Sequence, residues 1–189
     1  NLKNNNIDFV FIPLLSRAMM AEEMINHADP WQESYDITIA KKSYQDFVNE
    51  LSAVEINTVD VYAAYEAIDK NKIDEYNFKR DIHWKPAGSE LVAKKTAENI
   101  KKVKSYNDLA KSKTVLEKNT KIARSGTITE ELQKLCTTKI EAETFDVYKS
   151  KSIIEKNQNA LFGSDTETTP AALLGTSFSA QDNFSFPAY

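Results

Sequence analysis

The chain has 189 residues, 41% of them apolar, with 24 lysines and arginines against 28 aspartates and glutamates, for a formal charge of −4. These figures describe a globular domain that buries its own core without a metal or disulfide staple. Interspersed charges exclude the basic footprint of a duplex nucleic-acid binder, and no apolar run reaches the ~18–20 residues of a membrane span. The single cysteine, Cys136, excludes an internal disulfide or a cysteine-built zinc site, and no glycine-rich phosphate loop is present.

In chain order, Ile7, Phe9, Val10, Phe11 and Ile12 form a dense β-branched and aromatic run closed by Pro13. This predicts a strand over Ile7–Leu14 covered on both faces, as in a parallel sheet. A polar interruption follows at Ser16–Arg17. Residues 39–53 place Tyr44, Phe47, Val48 and Leu51 at three- and four-residue spacing, an amphipathic helix. A second strand is expected at Glu55–Tyr62, then a short helical piece to Lys70 and a polar stretch to Lys85. Pro86 suits the first turn of a helix running to about Lys104, with Leu91, Val92, Ile100 and Val103 inward.

Residues 105–124 are lysine-rich and read as partly helical, within an inserted segment at about 105–140. Thr127 and Glu130 have capping-box spacing ahead of a short helix ending near Cys136. Phe145 and Val147 suggest a strand, Leu161-Phe162-Gly163 punctuates a polar stretch, and Ala171–Leu174 reads as a last strand. The alternation implies an α/β layered domain over residues 1–189, with strands near 7–13, 56–61 and 170–175 as parallel neighbours. Residue 1 is not methionine and the chain stops in apolar-rich sequence at Asn183–Tyr189, so the domain is read as truncated at both ends.

Two places could carry chemistry. In Asp81-Ile-His83-Trp84-Lys85-Pro86, one residue separates the carboxylate from the imidazole, so an extended loop projects both the same way. The carboxylate then fixes the tautomer and leaves the other ring nitrogen free as a base. Taken alone, the same residues fit an ordinary solvated helix start. In Leu173-Leu174-Gly175-Thr176-Ser177-Phe178-Ser179, apolar sequence delivers a serine onto a tight turn. Position five is Ser179 rather than glycine, so the hydrolase elbow is not matched, and the segment is common on its own. The pair is more informative, because a serine nucleophile needs an oriented base. The other histidine, His27, has no serine motif beside it and reads as a surface residue.

Asp-x-His-Trp ahead of a Pro-x-Gly helix, then Leu-Phe-Gly and Leu-Leu-Gly-Thr-Ser-Phe-Ser, resembles the SGNH-hydrolase-like domain of bacterial alginate O-acetyltransferases, the AlgJ/AlgX type. The resemblance runs from Phe9–Arg17 through Asn183-Phe184. It implies a three-layer α/β/α domain with a mainly parallel central sheet and a circularly permuted motif order, serine last. It also implies Ser177 as nucleophile, His83 as base and Asp81 as orienter. Arg17, Asn183 and Trp84 become ligand-contact or oxyanion candidates, beside the Ser177 backbone N–H. The family implies a periplasmic O-acetyltransferase acting on alginate or a similar exported polysaccharide. No metal or cofactor is expected, and a membrane acyltransferase partner would deliver the acetyl donor. A carbohydrate acetylesterase is the alternative enzyme. A non-catalytic polysaccharide-binding scaffold, using aromatics such as Trp31, Tyr35, Tyr44 and Trp84, is the alternative from another class.

Overall fold

The first apolar run and the sequence after the first long helix meet as parallel strands, β1 (Val10–Phe11) and β2 (Asn57–Thr58). In this computed structural model, which describes residues 2–30, 32–108, 114–137, 139–152, 171–181 and 184–189, that pair is shorter than the sequence predicts. Only Val10 and Phe11 make the ladder, with the Val59 N–H donating to the Phe11 carbonyl just beyond it; Ile7 and Phe9 are exposed. Pro13, which has no N–H to donate, stands two residues beyond Phe11.

Between these strands lie α1 (Arg17–Met20), capped by Ser16, and α2 (Ile37–Ala53). Asp36 caps α2 by accepting from the Thr38 and Ile39 N–H groups, which is why the helix begins two residues before the apolar periodicity does. α2 buries Tyr44 and Val48, while Phe47 stays partly exposed with its edge toward Phe11. The Tyr44 hydroxyl accepts from the Val61 N–H at 3.1 Å, fastening α2 to the start of α3 (Val61–Glu66). Next come α4 (Ile73–Tyr76) and α5 (Pro86–Ile100), which starts at the predicted proline but stops four residues short of Lys104.

Gly88 in α5 permits close packing. A Cβ there would lie 2.4 Å from the Tyr76 carbonyl oxygen and 2.8 Å from Trp84 Cβ. The core assembled around this contact contains Met20, Val59, Val61, Tyr65, Phe78, Trp84, Val92 and Phe184, all fully buried or nearly so.

The lysine-rich segment departs from its expected helix. Residues 114–124 form a long strand, β3 (Thr114–Arg124), paired antiparallel with β4 (Glu143–Ser152), the strand expected around Phe145 and Val147. Most of β3 is exposed, so its lysines stay solvated along a ribbon held by main-chain bonds. α6 (Thr127–Leu135) lies between the two strands. The central sheet is therefore not mainly parallel among the described residues: one short parallel pair stands beside an antiparallel hairpin. Nor is 171–175 a strand, despite its composition. The segment is irregular and exposed, and leads straight into α7 (Ser177–Ala180). Leu161–Gly163 lie outside the described residues. Among the described residues no helix is long and apolar enough to cross a membrane.

Candidate active site

The loop that carries Asp81 and His83 is closed at its base by main-chain bonds. Asn77 and Trp84 form an antiparallel bridge, and the Lys85 N–H donates to the Tyr76 carbonyl at 2.8 Å. Asp81 shapes the tip itself, since its Oδ1 accepts the His83 backbone N–H at 3.1 Å, a turn that aspartate forms readily. Ile82 points outward and is half exposed, while Asp81 and His83 turn inward and are buried. The one-residue spacing thus works as side-chain alternation predicts.

Three side chains meet there. His83 Nδ1 lies 2.5 Å from Asp81 Oδ1, and His83 Nε2 lies 2.7 Å from Ser177 Oγ, 94 residues further along the chain. An ionised carboxylate only accepts, so Nδ1 carries the proton and Nε2 is left to accept from the serine hydroxyl. The imidazole is held between two rings, Phe178 at 4.5 Å and Phe184 at 4.7 Å between centroids. Ser177 opens α7, whose Thr176 cap accepts from the Phe178 N–H. As a first-turn residue, Ser177 has a backbone N–H with no acceptor inside the helix.

The second carboxylate oxygen of Asp81 is also fully used. Arg124 donates to Oδ2 from Nε at 3.1 Å, and its Nη2 lies in ion-pair contact with the same oxygen at 3.1 Å. The Thr127 N–H donates to the same oxygen at 3.1 Å, adding the positive end of the nine-residue α6. Burial alone would push the Asp81 carboxyl up. Hydrogen bonds from the His83 ring, the His83 N–H and the Thr127 N–H outweigh it and hold the group below the ordinary carboxylate range.

This corrects the capping-box expectation. Thr127 is the first residue of α6 and Gly126 precedes it as the cap; the threonine hydroxyl and N–H face Asp81 instead. Gly126 sits at φ +86°, and a Cβ there would lie 2.6 Å from the Arg80 carbonyl oxygen and 3.1 Å from Asp81 Cβ. Only glycine allows α6 to start this close to the loop.

The other sequence candidates divide. Trp84 is not at the surface of the site but in the core, 1% exposed, stacked on Phe186 at 5.4 Å. Its indole N–H donates to the Phe178 carbonyl at 3.0 Å, so it supports the turn after Ser177 rather than facing a ligand. Tyr44 is likewise a core residue. Arg17 opens α1, with Nη2 donating to Met24 Sδ at 3.4 Å. Burial pulls its guanidinium below the ordinary value, while Tyr65, Asp74, Glu143 and Glu23 act to keep it charged. Its hydrogen bonds do not join it to Asp81, His83 or Ser177. Asn183 and Trp31 lie outside the described residues. His27 is exposed, as expected. Sequence reasoning missed Arg124, Thr127 and Gln181. A buried carboxylate using one oxygen on a histidine calls for a cation on the other, but nothing in the pattern tells which of 24 basic residues supplies it.

Compared with known proteins, the whole chain, residues 1–189, matches the family described as SGNH hydrolase-like domain, acetyltransferase AlgX. The chain belongs to this acetyltransferase family. It is 26% identical over 188 residues to the alginate biosynthesis protein AlgX of Pseudomonas aeruginosa, covering 100% of this chain and 37% of that protein. It therefore spans under two-fifths of the length of the curated relatives it matches. Among solved structures, P. aeruginosa AlgX superposes with a TM-score of 0.71 at 22% identity, covering 82% of this chain and 36% of that one. The O-acetyltransferase domain of Pseudomonas putida AlgJ superposes with a TM-score of 0.70 at 17% identity, covering 99% of this chain and 60% of that one. The chain thus has the mixed α/β fold of the AlgX and AlgJ domains.

Proposed function

We propose that this chain is an O-acetyltransferase domain that acetylates hydroxyl groups of an exported polysaccharide, alginate or a similar polymer, through an acetyl-serine intermediate on Ser177. The observation that carries this reading is the continuous hydrogen-bonded line from Asp81 through His83 to Ser177. The Ser177 hydroxyl gives its proton to His83 Nε2 as Oγ attacks the acetyl carbonyl of the donor. Asp81 holds the resulting imidazolium, and the Ser177 backbone N–H, which has no acceptor inside α7, can donate to the oxyanion. Collapse expels the donor's leaving group, which takes the proton from His83, and leaves acetyl-Ser177. A sugar hydroxyl then passes its proton to His83 and attacks the acyl carbon. The second collapse frees the acetylated sugar and returns the proton to Ser177 Oγ. The membership of an acetyltransferase family supports transfer rather than another acyl chemistry. A periplasmic location, and delivery of the acetyl group by a membrane partner, belong to the same proposal.

Hydrolysis by water is the second reading, an acetylesterase. It is favoured by one feature: residues 171–176, leading to the nucleophile, are exposed throughout. The test uses a chromogenic acetyl ester with and without polysaccharide. Ser177→Ala should abolish acetate release. Wild-type protein should move acetyl onto the polymer; release to water alone, unaltered by polymer, makes it an esterase. If Ser177→Ala retains full activity, the nucleophile is elsewhere. Sugar binding with neither activity in the wild type would make the domain a scaffold.

A further inference from the structure

We propose that Arg124 is a positioning residue for the acyl-transfer relay, clamping the Asp81 carboxylate and tying it to the turn that carries Ser177. This rests on the proposed role of Ser177 and His83. Arg124 is the last residue of β3, far from either sequence motif. Its guanidinium reaches three parts of the site at once. Nε donates to Asp81 Oδ2 with Nη2 in ion-pair contact beside it, and Nη1 donates to Gln181 Oε1 at 3.3 Å, on the residue that closes α7. Its flat face lies 5.2 Å from the Phe184 ring, the same ring that stacks on His83. The Asp81 side chain is wholly buried, so a carboxylate rotated off this clamp would lose partners it cannot replace with water. The clamp thereby keeps Oδ1 aimed at His83 Nδ1. The antiparallel hairpin, which no sequence motif explained, then has a task at the site.

Lysine is not an equivalent residue here, because one ammonium cannot present a planar fork to Asp81 and Gln181 while stacking on a ring. The imidazolium that forms on His83 during attack is held by the Asp81 anion, so a carboxylate fixed by Arg124 fixes the base as well. The groups facing His83 are Asp81 from its own loop, Ser177 from α7 and, through Asp81, Arg124 from β3; Phe178 and Phe184 are neutral. Lys85 also lies over the Phe78 ring, but it pairs with Glu143 from β4 at 2.6 Å, and Lys79 pairs with Asp74.

The test compares Arg124→Gln and Arg124→Lys in the full chain. It measures kcat and KM for ester hydrolysis and follows the His83 Nδ1–H proton resonance by NMR, assigned with His27→Gln. Arg124→Gln should lower kcat by about 10–100-fold, the scale known for partners that orient metal-binding side chains, with KM within about twofold. The His83 Nδ1–H resonance should move or broaden as Asp81 Oδ1 loses its aim. Arg124→Lys should also lose kcat with KM kept. Unchanged kcat per folded molecule, with an unmoved Nδ1–H resonance, would make Arg124 a structural bracket and overturn the proposal. Should Arg124→Gln fail to fold, Arg124→Lys decides: wild-type kcat there removes the need for the fork. If the wild type hydrolyses no ester, the acyl-transfer reading fails, while the His83 Nδ1–H resonance still reports whether Arg124 acts on it.

Discussion

Gly126→Ala tests whether the relay depends on the close approach of α6 to the histidine loop. The residue sits at φ +86° and ψ 150°, a region essentially reserved for glycine, which costs about 1–3 kcal/mol for any other residue. The added methyl would also lie 2.6 Å from the Arg80 carbonyl oxygen, a backbone atom that cannot rotate aside. Overpacking of this kind costs about 1–3 kcal/mol more. The sum, about 2–6 kcal/mol, is a large share of the ~5–15 kcal/mol that stabilises a typical domain. For a chain of this size it corresponds to a fall in Tm of about 4–24 °C. Relief requires α6 to back away, which lifts the Thr127 N–H from Asp81 Oδ2. Calorimetric melting combined with ester hydrolysis on the folded protein measures both effects. A variant that melts within a degree or two of wild type at full activity would refute the reasoning.

Asp81→Asn should lower kcat by about 10⁴-fold, the scale seen when a relay aspartate loses its charge and the histidine tautomer is no longer set. It should also destabilise the fold by about 3 kcal/mol, the low end for breaking a buried ion pair, because Arg124 keeps a partly exposed side. The Asp81 carboxyl titrates lower folded than unfolded, so the unfolded chain takes up the extra proton. Its contribution is complete above ~3.9 and is lost as pH falls toward the lower folded value; acid denaturation of the asparagine variant should show a shallower slope there. Tyr44→Phe removes the acceptor for the buried Val61 N–H and should cost about 1–2 kcal/mol in urea denaturation with hydrolysis unchanged.

The parts of the fold legible in the sequence are those where local pattern and tertiary burial agree. α2 is found because Tyr44 and Val48 repeat at helical spacing, and α5 because Pro86 marks its first turn. β3 was hidden for the opposite reason. Its outer eight residues are exposed, so no alternation of apolar and polar positions records a strand, and its register is fixed by the partner β4. Ala171–Leu174 misled in reverse, since Leu173 and Leu174 are apolar but half or almost wholly exposed. The site follows the same division. Asp81, His83 and Ser177 stand out because their spacing and residue types suit one chemistry. Arg124 and Thr127 act through positions that the hairpin supplies, and a lysine-rich ribbon with one arginine at its end carries no motif. Gly126 was visible only as a glycine, while its reason lies in the backbone of Arg80 across the gap.

The most direct measurement is mass spectrometry of the protein quenched in acid during turnover of an acetyl ester. The account predicts one acetyl group on the peptide containing Ser177, absent in Ser177→Ala, and chased off when polysaccharide is added. Acetate release by the wild type with no acetyl on Ser177, continuing undiminished in Ser177→Ala, would contradict it.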